Sequence, residues 1–207
     1  QNGLVAIGGG TPDSTIVFTS DRDDFYGGDT YGDGDANLPT INYWYGIYFY
    51  NEAIDENCML KNCVLKNGSY YYNNNYSGNR GAITVNNASP TIENGLFKDD
   101  WYGIVAGNIS LPKIKNCDFT GMEPAYGYGV WNQTSTNVVT ATTCWWNSPT
   151  GPRHSSNPAG TGERVSDNVV FIPFATQLSK PVLGDISLNG TISPYDASLV
   201  LQHTVGN

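Results

Sequence analysis

The chain has 207 residues, room for one long domain and a small appendage, and its 24 glycines, 14% charged residues and 13% aromatics suit an all-β chain rich in turns. The net charge of −9 argues against nucleic acid and anionic membrane surfaces as partners, and it makes a cation such as Ca2+ the natural one. No apolar run is long enough for a membrane-crossing helix, and no signal peptide is visible.

In chain order, the first predicted element is a strand, turn and strand over Leu4–Ile7, Gly8–Thr11 and Ile16–Ser20. The chain already reads as strand this close to Gln1, so the expectation is a mature or trimmed front whose first unit is uncapped, an edge open to association. Then comes a long acidic excursion over residues 21–44, with Asp21, Asp23, Asp24, Asp29, Asp33 and Asp35 set among glycines. A loop of that length calls for a functional reason. Asp29-Thr30-Tyr31-Gly32-Asp33-Gly34 opens like a calcium loop, with Tyr31 where an oxygen donor belongs. Asp24 and Asp35 could supply the missing oxygens. Asp24, Asp29, Asp33 and Asp35 are therefore candidate ligands, against the alternative of a solvated acidic loop.

From the aromatic run at residues 43–50 the sequence repeats itself. Gly46-Ile47-Tyr48-Phe49, Gly81-Ala82-Ile83-Thr84-Val85, Gly103-Ile104-Val105-Ala106 and Gly129-Val130-Trp131-Asn132 each lead to a second segment. Those segments are Leu60–Leu65, Ile92–Phe97, Ile114–Phe119 and Thr142–Trp146. Self-similarity every 20 to 26 or so residues, with two short strands per unit, is the pattern of a stacked solenoid. Cys63, Cys117 and Cys144 occupy one slot of the second segment, and such a slot stacks at about 4.8 Å per unit. Cys63 and Cys117 are then two units apart, too far for a disulfide, and all three read as small buried apolar residues. Cys58 falls at a turn with no assigned role.

A second excursion, over residues 66–80, carries Tyr70, Tyr71 and Tyr72 followed by asparagines. Its rings and amides could stack on a polysaccharide, meet a protein, or fold back over the wall of the repeats. Asn67, Asn75, Asn87, Asn108, Asn132 and Asn189 begin Asn-x-Ser/Thr triplets, which arise by chance in a chain this rich in Asn and Thr. Residues 148–164 lose the period and, with Trp145 and Trp146, are expected to cap the stack. A last strand pair is expected over Val165–Phe174, and a linker over Pro173–Pro181.

The Gly-Ile/Val strands, the Asn-Cys ladder and the closing Trp145-Trp146-Asn147-Ser148-Pro149 through Phe171-Ile172-Pro173-Phe174 resemble secreted bacterial right-handed parallel β-helix repeat proteins. The resemblance implies an all-β, right-handed parallel β-helix over 1–175, a three-faced coil, an extracellular or cell-surface location and often carbohydrate-related work. After a linker at 176–183, the tail 184–207 resembles half of a type I dockerin: a calcium loop and a short helix. Asp185, Ser187, Asn189, Gly190 and Asp196 fall on its loop positions, with Thr191 offering a carbonyl and Ser193 a further oxygen. A dockerin has two such repeats, and Pro194-Tyr195 is atypical at the recognition positions, so cohesin binding is not implied. An uncharged turn before an amphipathic helix is the alternative.

Polysaccharide-acting enzymes share the implied fold, but a hydrolase-like constellation is missing: Asp99-Asp100 is a lone acidic pair, more often a turn, and His154 and His203 are remote from it in sequence. A pectate-lyase-like site would need Lys66 or Arg80 as base beside bound calcium. The leading expectation is a non-catalytic, calcium-stabilised structural or adhesive surface protein, self-associating head to tail. A lyase or a carbohydrate-binding module is the alternative.

Overall fold

The computed structural model describes residues 2–9, 14–34, 36–69 and 80–178. They form strands β1 (Val5–Ile7), β2 (Ile16–Phe18), β3 (Ile47–Phe49), β4 (Met59–Lys61), β5 (Cys63–Lys66), β6 (Ile83–Asn86) and β7 (Thr91–Glu93). Strands β8 (Leu96–Lys98), β9 (Tyr102–Gly107), β10 (Lys113–Lys115), β11 (Asp118–Thr120), β12 (Tyr128–Asn132), β13 (Val139–Thr142) and β14 (Val169–Val170) follow. Among the described residues, helix is limited to α1 (Asp24–Gly27), a 3₁₀ turn at Asp55–Asn57 and the 3₁₀ residue Ser14. All the paired strands run parallel. One sheet has the order β1-β4-β7-β10-β13-β14, a second β2-β5-β8-β11 and a third β3-β6-β9-β12. From β1 to β12 the chain visits the three sheets in turn and lays each strand beside the one from the previous circuit. The all-β, parallel expectation holds.

Two details of the repeat differ from the sequence reading. The first three second segments are each two strands, and the fourth is the end of β13 followed by an isolated bridge at Trp145. They are broken where Asn62, Asn94, Asn116 and Thr143 take φ of 54, 51, 52 and 57°. A residue in this left-handed region turns the chain from the first sheet to the second, and asparagine tolerates it best among residues with a Cβ. The corner side chains also form a ladder: Asn62 Nδ2 donates to the Gly8 carbonyl at 2.8 Å, Asn94 Nδ2 to Asn62 Oδ1 at 3.1 Å, and Thr143 Oγ1 to Asn116 Oδ1 at 2.5 Å. Asn94→Ala is expected to lose about 1–2 kcal/mol in denaturant titration, through the strained φ and the lost rung. Asn94→Gly should lose less, and an alanine variant as stable as the glycine one would refute this account of the corner.

The second difference is a shift by one residue. Ile47 pairs with Ile83, Ile83 with Ile104 and Ile104 with Val130, so Ala82, not Gly81, is level with Gly46, Gly103 and Gly129. Glycine at Gly103 and Gly129 is explained by what faces it. A methyl group on Gly129 would lie 3.0 Å from both Phe119 and Trp146, and one on Gly103 would lie 2.5 Å from the Gly129 carbonyl.

The core is a set of columns running across the circuits. Leu60, Ile92, Ile114 and Ala141 form the column of the first sheet. Ile83, Ile104 and Val130 form one of the third. In the second, Phe97 stacks on Phe119 at 5.0 Å, and Phe119 on Trp146 at 4.9 Å, all fully buried. Cys63, Cys117 and Cys144 are buried and unbridged, as expected, and so is Cys58, to which the sequence assigned no role. The thiols of Cys63, Cys117 and Cys144 repeat one contact, each donating to the carbonyl two residues earlier. The last strand pair expected over Val165–Phe174 reduces to a bridge from Val165 to Val130 and the two-residue β14.

The connections are unequal. From first sheet to second the chain turns within one or two residues after β4, β7 and β10. Between the second sheet and the third lie residues 19–46 and then 67–82. Both excursions therefore leave the same corner, on successive circuits.

Candidate metal centre

The acidic excursion begins where Ser20, buried, accepts the Asp23 N–H at 3.1 Å and starts the turn into α1. Gly28, at φ 71°, ends α1, its N–H bonded to the Asp24 carbonyl at 3.0 Å. The chain then doubles back through Gly32 and Gly34 at φ 67 and 60°. Asp29 organises this turn: one carboxylate oxygen accepts the Asp33 N–H at 3.0 Å, the other the Gly34 N–H at 2.9 Å. These donors, Gly34 foremost, hold the Asp29 carboxyl below its ordinary range. Asp33 in turn accepts from the Asn37 amide.

The result is a convergence of Asp24, half-buried, with Asp29 and Asp33, both exposed; one oxygen from each lies within 4.8 Å of the others. Three carboxylates at this spacing repel one another unless a cation or solvent separates them. An all-oxygen, all-carboxylate set fits a hard cation such as calcium or magnesium and not a thiophilic metal. Of the four ligands expected in this loop the structure brings three together; Asp35 lies outside the described residues.

The loop is stitched to the next circuit. Asp23 is buried, accepts Thr19 Oγ1 at 2.7 Å and pairs with Lys66 Nζ at 2.9 Å. The Lys66 ammonium also lies over the Tyr26 ring, 5.3 Å from its centroid. Arg22 lies over Tyr43 and Tyr31, at 5.0 and 5.8 Å. Tyr31 donates to Asp21 at 2.5 Å, which lowers the Asp21 carboxyl and raises the Tyr31 phenol. On the way back, the Tyr43 N–H reaches the Asn67 carbonyl at 2.9 Å and Trp44 Nε1 the Lys66 carbonyl at 2.8 Å.

The roots of the second excursion are equally bound. Ser69 Oγ accepts the N–H groups of Trp101 and Tyr102 at 2.6 and 3.0 Å, and donates to the Gly68 carbonyl at 2.5 Å. The Gly68 N–H donates to Asp100 Oδ1 at 2.6 Å. At the other root the Arg80 guanidinium covers Tyr45 and Tyr48, each at 5.6 Å. Tyr70, Tyr71 and Tyr72 lie outside the described residues, as do Asp185, Ser187, Asn189, Thr191, Ser193 and Asp196 of the tail loop.

The two residues considered as a lyase base thus have structural partners, Lys66 a buried carboxylate and Arg80 two aromatic faces. Of the Asp99-Asp100 pair, only Asp99 plays the turn part, at φ 55°; Asp100 is fully buried. Sequence reasoning missed Asp23 and Asp100. Asp23 is indistinguishable from Asp24 by composition, and Asp100 follows a corner residue with no local mark of burial. No known protein-family model, curated protein or solved structure matches the chain. Among the described residues, no helix is long and apolar enough to cross a membrane.

Proposed function

We propose that the chain is a non-catalytic, calcium-stabilised structural or adhesive module of a bacterial extracellular surface, built as a right-handed parallel β-helix. The cyclic order of three parallel sheets supports the coil, and the strong preference of parallel crossovers for one hand supports its handedness. The observation that carries the calcium part is the convergence of Asp24, Asp29 and Asp33 on a loop tied to the core through Asp23 and Lys66. The remaining oxygens of a six- to eight-fold shell would come from backbone carbonyls, Asp35 or water. A second calcium bound by residues 185–196, and the surface location, rest on the resemblances alone.

Calcium at about 100 times its Kd is expected to add roughly 2.7 kcal/mol, a rise of roughly 5–10 °C in Tm for a chain of this size. Asp29→Asn should weaken binding by about tenfold or more in calorimetric titration, since the residue supplies a ligand charge and shapes the turn. Unchanged Tm and no heat of binding in the wild-type protein would end the calcium reading.

Self-association belongs to the same proposal. Among the described residues, β1, β2 and β3 end their sheets, and a second copy stacked there would extend all three. Light scattering with calcium and with chelator tests it, and a monodisperse monomer in both would refute it.

Carbohydrate binding is the second reading. The exposed Tyr31, Tyr45 and Tyr50 on and just after the first excursion favour it, at 56, 59 and 49% exposure. It predicts saturable binding of a polysaccharide that is lost when Tyr45, Tyr70, Tyr71 and Tyr72 are changed to alanine.

A further inference from the structure

Asp100 is fully buried, yet its carboxyl is met only by backbone donors, the Gly68 N–H on Oδ1 at 2.6 Å and the more weakly placed Lys98 N–H, and Oδ2 makes no hydrogen bond to the described residues. A buried carboxylate oxygen without a donor is costly, and a proton on the group lowers that cost by removing the charge. The place matters as much as the charge. Gly68 is packed so closely that a methyl group on it would lie 3.0 Å from the Trp44 indole and 3.1 Å from Asp100. Trp44 ends the first excursion, and residues 68–69 begin the second. Ser69, held at φ 65°, is kept in that unfavourable conformation by its bonds to Gly68, Trp101 and Tyr102.

We propose that the protonated Asp100 carboxyl is a latch that fastens the roots of both excursions to the core, and that its ionisation releases them. Proton loss to solvent would leave a bare carboxylate among Gly68, Trp44 and the corner backbone, and the cheapest relief is to open the corner and admit water. The charged groups around it do not offset this. Asp99, beside it, carries the same sign. Lys66, on β5, favours the ionised form but is the smallest of the influences on Asp100, and it is already paired with Asp23. Glu123, whose N–H bonds the Asp100 carbonyl, turns its carboxylate to the Tyr126 N–H, and Glu163, one circuit on, serves Gly121 and Asn147. Burial pushes the Asp100 carboxyl well above its ordinary range, with Asp99 adding to the effect. A carboxyl raised in the folded state stabilises the fold fully below its unfolded value, and that contribution is lost as pH rises through the folded one.

The test is amide hydrogen exchange at Gly68, Trp101 and Tyr102, corrected for intrinsic rates, in chelator so that calcium plays no part. From the ordinary carboxyl value up to the raised one, protection at these amides should fall by up to about tenfold per pH unit. Protection at Ile92 and Ile114 in the core should hold. Asp100→Asn, which cannot ionise, should remove the pH dependence. Protection that is flat with pH in the wild-type chain, or that falls equally in Asp100→Asn, overturns the proposal. Should that variant not fold, carboxyl-carbon NMR of the wild-type protein decides: ionisation of Asp100 near the ordinary value of about 3.9 overturns it, and ionisation well above that value, accompanied by the loss of protection, supports it.

Discussion

Phe119→Ala is expected to lose about 3–5 kcal/mol of folding free energy, a fall of roughly 10 °C or more in Tm. Phe119 is the middle ring of the column that joins Phe97 to Trp146, with near-parallel planes 16° apart on both sides. Removing it strips a contact from each neighbour and opens a cavity that cannot collapse, because the circuits above and below are held apart by their ladder bonds. Glycine at 103 and 129 makes the effect larger. Their missing side chains are room for this ring, so no neighbouring side chain is placed to fill the gap. Phe119→Leu should recover more than half of the loss in the same denaturant titration. If alanine costs under 1 kcal/mol or so, the aromatic column is not what joins the circuits of the second sheet.

Lys66→Met is expected to cost about 2–3 kcal/mol. Breaking a buried ion pair from one side leaves an uncompensated charge, typically a loss of about 3–5 kcal/mol, and the Lys66 side chain keeps 20% of its exposure, which lowers the figure. Asp23, at 5% exposure, would retain, among the described residues, Thr19 as its side-chain donor. The double change Asp23→Asn with Lys66→Met should restore much of the stability, because an amide in that place carries no charge. Calcium affinity should fall in Lys66→Met although the residue pairs with Asp23 and not with Asp24, Asp29 or Asp33: the pair anchors the turn from which α1 and the loop spring. A single variant as stable as the double one would show that the pair is solvated and the loop anchored elsewhere.

The crowding of carboxylates in the acidic excursion was legible in the sequence, because they fall among glycines. Which of them converge was legible only in part. Asp24, Asp29 and Asp33 meet because α1 ends at Gly28 and the chain doubles back over Asp29, whereas Asp23, next to Asp24, points the other way into the ion pair with Lys66. The repeat was legible too, but its unit was misjudged. A single left-handed asparagine splits what reads as one apolar segment into strands of two different sheets, and no hydrophobic period registers a φ angle.

What the sequence determined by itself is the kind of residue each slot holds. Stacked circuits place the same environment at the same slot, so glycine recurs where a ring must fit, cysteine where a small buried group must, and asparagine where the chain must turn left-handed. That regularity is local and survives in one dimension. Only the tertiary structure decided which residues from different circuits meet. Ala82 displaces Gly81 by one position, Lys66 reaches back to Asp23, and Asp100 closes over Gly68. Those meetings depend on ladder register and on the depth of one corner, where a one-residue shift turns a solvated carboxylate into a buried one.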